Sequence, residues 1–179
     1  MLECSDMKVR GLFQLSVYDN IESIEQLNDI RNGISLQNPI MEFKKENVIT
    51  LLGRKRVAEL IAGSSSDFIT EIAIGDGGAS ALDDSIPLIP TVNDVALTNE
   101  VDRQTASGAV LSGTQKAEFT AGFITANIPG GAYLGTPKIN EAGLFCSDGI
   151  LFARRTYPSI AFGPADRVGQ LVRWIIEVL

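Results

Sequence analysis

The chain has no histidine among its 179 residues. That absence removes the commonest general acid or base at neutral pH and the commonest metal ligand. It also excludes Ser-His-Asp and Cys-His nucleophilic arrangements within one chain. Cysteine is scarce: Cys4 and Cys146 are the whole complement, and two thiolates without ligand spacing do not build a structural zinc site. They read as two free thiols of a protein made in a reducing compartment, with a disulfide between them as the alternative. Basic residues are outnumbered, 15 against 22 acidic ones, for a net charge of −7. Such a surface repels phosphate backbones, so no nucleic-acid partner is expected. No window approaches the ~20 apolar residues that cross a bilayer. Met1–Arg10 carries acidic residues and lacks the apolar core of about 7–15 residues that a signal peptide needs. The expectation is a soluble chain with no membrane partner and no export signal.

What is present is a globular composition. Apolar residues make up 45% and charged residues 21%, which excludes disorder for most of the chain. The length fits a single domain over 1–179. Lys8 to Asp19 predicts a strand with Val9, Phe13, Leu15 and Val17 on one face. Ile21, Ile24, Leu27 and Ile30 recur every third residue, so 20–41 reads as a helical insertion or arm. Its short helix is capped by Asp19 or Asn20 and closed by Gly33, and a turn follows at Asn38-Pro39. The clearest helix lies within 45–63, capped by Asn47 or Thr50. It presents Leu51, Leu52, Val57, Leu60 and Ile61 as an apolar stripe opposite Arg54-Lys55-Arg56. Gly63 stands where a C′ glycine belongs, and Gly53 marks either a weakened helix or a close approach to a strand.

Residues 68–179 read as the β-sandwich. Phe68–Ile74 is a nearly continuous apolar run, which predicts a strand covered on both faces. Gly75–Asp84 reads as loop, Ile86–Pro90 is too rich in proline for an internal strand, and Thr91–Asp102 and Gln104–Ser112 read as extended. Lys116–Ile128 alternates, with Ala117, Phe119, Ala121 and Phe123 on one face, and Pro129-Gly130-Gly131 ends it. Ile139–Phe145 and Ile150–Tyr157 predict a hairpin that turns at Asp148-Gly149. Val168–Leu179 supplies a last strand, with Val172, Trp174 and Ile176 on one side. Strand after strand without alternating helices predicts a mainly β fold, an antiparallel β-sandwich with one principal α-helix.

The constellations that could carry chemistry are weak. Gly75-Asp76-Gly77-Gly78 invites a phosphate-loop reading, but no Gly-x-Gly-x-x-Gly, no Lys-Ser/Thr and no following helix accompany it. It reads as a tight structural turn with glycines at positive φ, as does Asp148-Gly149. Asp76, Asp83 and Asp84 lack the spacing of a twelve-residue calcium loop and read as solvated acids. Glu141 has no partner acid or base at catalytic spacing; pairing with Arg154 or Arg155 across the hairpin is the expectation. Arg54, Lys55 and Arg56 read first as the solvated side of a helix and second as a docking face. Phe119, Phe123, Phe145, Phe152 and Trp174 all fall at strand positions and read as core. Tyr133 is the candidate for an exposed sugar-stacking aromatic. The candidate interface residues are therefore Arg54, Arg56, Glu141, Arg154 and Arg155.

Several segments, in order, carry a resemblance. They are Asn47-Val-Ile-Thr50, Gly53-Arg54, Ala58-Glu-Leu-Ile-Ala-Gly63, Ile72-Ala-Ile-Gly-Asp-Gly77 and Ala96-Leu-Thr-Asn-Glu-Val-Asp-Arg103. Ile139-Asn-Glu-Ala-Gly-Leu-Phe145, Leu151-Phe-Ala-Arg154 and Trp174-Ile-Ile176 follow. This series resembles structural proteins of tailed-bacteriophage virions, including the attachment domains of tail-collar fibre proteins. It covers about residues 8–19 and 45–179, and the Ile21–Ile40 insert departs from it. The resemblance implies a non-enzymatic virion component, a homotrimer or higher ring, that holds other virion proteins at the tail, baseplate or collar. It implies no cofactor and no catalytic residue. A capsid decoration protein and a carbohydrate-binding adhesion module are the alternatives.

Overall fold

In the computed structural model of the chain, residues 8–125, 138–162 and 167–179 are described. Cys4, Pro129-Gly130-Gly131, Tyr133 and the end of the Lys116–Ile128 segment lie outside them. The described residues form two antiparallel five-stranded sheets and two helices, the expected mainly β sandwich.

The first sheet runs in the order β2 (Met41–Glu46), β1 (Val9–Tyr18), β10 (Gly169–Val178), β7 (Lys116–Ile124), β6 (Ser107–Val110). The second runs β3 (Val48–Ile49), β9 (Leu151–Ala161), β8 (Lys138–Cys146), β4 (Ile69–Gly75), β5 (Glu100–Thr105). At both edges the chain changes sheets through one residue, Asn47 between β2 and β3 and Ala106 between β5 and β6. The sandwich is thus not confined to 68–179: β1 lies beside the last strand, with Phe13 opposite Trp174.

Period-two alternation builds the core. Phe13, Leu15, Phe123, Val172 and Trp174 from one sheet meet Ile72, Ile74, Ile139, Leu144, Phe152 and Tyr157 from the other. Phe13 is the hinge of an aromatic cluster, stacked on Tyr157 at 5.7 Å and edge-on to Trp174 at 4.9 Å between ring centroids. Of the five strand aromatics expected in the core, Phe119 is half-buried and the others are buried. The hairpin β8–β9 turns as expected. The amide of Gly149 donates to Cys146 O, Gly149 takes φ +83°, and the Cys146 amide donates to Ile150 O.

Helix α1 (Ile24–Arg31) is shorter than its periodicity suggests. Asn20 turns the chain at φ +54° and Ile21 is buried, so the cap falls at Ser23 rather than at Asp19 or Asn20. Ser23 and Gln26 form a reciprocal capping box. The helix lies against the outer face of the first sheet where glycines make room. A methyl group on Gly122 would lie 2.9 Å from Ile24 Cδ1, and one on Gly169 2.9 Å from Leu27 Cδ2.

Helix α2 (Leu51–Ile61) starts later than the widest reading. Val48–Ile49 is strand, paired with β9, and the flanking amides tie the chain to both sheets: Asn47 donates to Gly11 O and Thr50 to Phe152 O. Thr50 caps the helix by accepting from the Gly53 amide at 2.9 Å and donates its hydroxyl to Leu151 O at 2.6 Å. Gly63 closes it at φ +66°, with Gly63 and Ser64 amides donating to Leu60 O and Glu59 O. The expected stripe is reversed in part: Leu51, Leu60 and Ile61 are exposed, whereas Arg56 is only 5% exposed. Arg56 bonds Ser65, Asp67 and Asp148, joining the helix, its following linker and the β8–β9 turn. Three carboxylates outweigh the apolar face here, so the cation points inward.

Candidate functional site

β8 is the one strand named above whose two faces are both almost wholly enclosed. One face carries Ile139, Ala142 and Leu144 into the core. On the other, Phe145 packs with Ala73, Leu97 and Leu151, and Arg103 lies over its ring at 3.8 Å. What covers this outer face is the chain from Asp76 to Asn99, far longer than the ~12–15 residues usual for a loop without elements of its own. Only Ala79 and Pro87 make a bridge within it. Thr91–Asn99, expected as extended, is irregular and is turned by Asp94, which accepts from the Thr91 amide and hydroxyl.

Glu141 holds this cover down. Its side chain is fully buried. Oε1 accepts from the amides of Asn99 at 3.0 Å and Gly77 at 3.3 Å. Oε2 accepts from the Thr98 amide at 3.2 Å and from Arg154 Nη2 at 2.6 Å and Nε at 3.1 Å. Arg154 continues outward to Asp94 Oδ2 at 2.8 Å and Thr98 Oγ1 at 2.7 Å. Burial pushes the Asp94 carboxyl up, but the Thr91 and Arg154 hydrogen bonds outweigh it and hold it below its ordinary value. Asn140 adds a second tie: its Oδ1 accepts from the Gly78 amide at 2.6 Å, and its Nδ2 donates to Ser159, which bonds Asp84 O. Tyr157 donates to Glu141 O from the core side, and burial raises its phenol. A buried ion pair in which both carboxylate oxygens and all three guanidinium nitrogens are hydrogen-bonded fixes one geometry. Here that geometry is the path of a loop.

The sequence-predicted residues divide accordingly. Arg154 pairs with Glu141 as expected. Arg155 does not: alternation sends it to the opposite face, where it donates to Glu46 O at 3.0 Å and lies over Phe43. Arg54 is exposed on α2. Gly75, Gly77 and Gly78 are not the expected positive-φ turn. They are glycines because other chain passes too close for a side chain: a methyl would lie 2.8 Å from Glu141 Oε1 at Gly75, 2.9 Å from the Asn99 amide nitrogen at Gly77 and 2.6 Å from Asn140 O at Gly78. Asp76 accepts from Asn99 Nδ2, Asp83 from Ser85, and Asp84 pairs with Lys138, so the three acids serve separate contacts.

The outer side of the held loop is apolar. Leu82 is 99% and Ile89 89% exposed, with Ile86, Leu88 and Val95 also open. No periodicity signals this, because the side chains follow an irregular path that only Glu141, Asn140 and Arg154 define. Comparison with family models, with curated proteins and with solved structures found no match.

Proposed function

We propose that the chain is a structural component of a tailed-phage virion, which self-assembles and joins neighbouring virion proteins at the tail, baseplate or collar. Its partners are copies of itself, in a trimer or higher ring, and other virion proteins; its place is the virion, assembled in the host cytoplasm. It acts by binding and not by catalysis. The ordered series of motifs that resembles virion structural proteins supports this reading. The observation that carries the reading is the loop Asp76–Asn99, whose buried polar latch displays Leu82 and Ile89 to solvent. Exposed apolar side chains on a rigidly held loop are costly for a lone protein and favourable at a contact. The resembling motifs Gly75-Asp-Gly77, Ala96–Arg103 and Asn140-Glu-Ala142 are the ones that build this latch, so in this reading they serve assembly geometry. Quantitative mass spectrometry of purified particles tests it. A tail or collar protein is present in a few copies per particle. Hundreds of copies would move it to the head as a decoration protein, and absence from the particle overturns the virion reading.

A further inference from the structure

Sheet edges template pairing, and native chains guard them with charge or brevity. Four strands end the two sheets: β2, β6, β3 and β5. β3 has two residues. β2 carries Glu42, Lys44, Lys45 and Glu46, and β5 carries Glu100, Asp102 and Arg103. β6 is unguarded: Ser107–Val110 has no charge and no proline, and all of it is exposed. The uncharged run extends from Gln104 through Gln115. Two copies of a chain with net charge −7 repel over most of their surfaces, and this neutral strip is where they can meet without like-charge cost.

The strip also has a shape. Gly108 lies opposite Phe119 and Val110 opposite Ala117 in the β6–β7 ladder, so Gly108 and Val110 share one face and Ser107 and Ala109 the other. That face borders an apolar groove of about 480 Å³ between Phe68 and Phe119. Val110 is 77% and Phe68 63% exposed, while Gly108 is covered by the Phe119 ring, which a methyl group there would meet at 3.0 Å.

We infer that β6 pairs antiparallel with β6 of a second copy about a two-fold axis at Ala109. This rests on the assembly reading above and names one contact within it. In a continuous sheet, residues directly opposite one another share a face. Of the registers this allows, the one centred on Ala109 sets each Val110 opposite the other copy's Gly108, at the mouth of the groove that Phe68 and Phe119 line. The two five-stranded sheets become one, and the exposed edges of both copies are paired. An isologous contact of this kind adds a two-fold to whatever ring the chain forms.

Cross-linking tests it, in a chain carrying Cys4→Ser. Directly opposite Cβ atoms lie about 4.5–5.5 Å apart, so Ala109→Cys forms a disulfide-linked dimer under mild oxidation, and the control Ser112→Cys does not. Cys146 does not compete, because it is buried and burial pushes its thiol up to about 11. Val110→Lys, at an exposed position that leaves the fold intact, halves the solution mass. If the chain is oligomeric but Ala109→Cys fails to cross-link and Val110→Lys leaves the mass unchanged, this contact is overturned while the assembly reading stands. A monomer at all concentrations overturns both.

Discussion

Glu141→Ala destabilises the fold by about 3–5 kcal/mol, the cost of leaving a buried guanidinium without its partner. For a chain of this size that lowers the melting temperature by roughly 6–20 °C, at about 2–4 °C per kcal/mol. The loss comes from Arg154 and from the three amides of Gly77, Thr98 and Asn99, all of which bond to that carboxylate. Amide exchange distinguishes this from a general loosening. Protection falls first across 76–99, while β1 and β10 keep theirs. Adding Arg154→Met to Glu141→Ala recovers part of the loss, since the guanidinium is then not left buried without Glu141, while Asp94 keeps its bonds from Thr91. A single variant as stable as the parent would show that the latch does not hold the loop.

Gly53→Ala has the opposite sign from the usual expectation. In an open helix interior, alanine stabilises by about 1 kcal/mol relative to glycine. Gly53 is buried, and a methyl group there would lie 2.9 Å from the Phe152 carbonyl carbon and overlap its oxygen. Backbone in the middle of a sheet does not yield as a flexible side chain does. The helix must therefore lift from β9, at a cost of about 1–3 kcal/mol. Thermal unfolding reads the sign directly: a rise in melting temperature contradicts the close approach of α2 to β9.

Strands with one apolar face were legible because alternation is local. β1, β7 and β10 read directly from Phe13, Phe123 and Trp174 and their neighbours, and the hairpin at Asp148-Gly149 from its turn residues. β2 was not legible. As a charged edge strand it buries little beyond Phe43, so its pairing with β1 leaves no pattern in its own residues. Arg56 was placed on the wrong side of α2 for a related reason. Its surroundings, Asp67 and Asp148, come from other parts of the chain, and helical periodicity carries no information about them.

The site follows the same division. That Glu141 pairs with an arginine across the hairpin was readable, but not whether with Arg154 or Arg155: the bulged register sets Glu141 opposite Thr156, with Arg154 its diagonal neighbour. The rest of the latch was not, since Asp94, Thr98 and Asn99 reach it from a loop with no regular structure. The glycines of 75–78 show the difference between a correct residue and a correct reason. Glycine is required there, but by the passage of Asn99 and Asn140 alongside and not by a positive φ. Seen from sequence, the segment reads as a tight structural turn. In the fold it lies under the loop and supports it.

The solution mass of the purified chain tests the assembly reading most directly. By light scattering or native mass spectrometry, at micromolar concentration, the expected result is a defined multiple of the 19.2 kDa protomer. A single species at 19.2 kDa, unchanged up to high concentration, would contradict it.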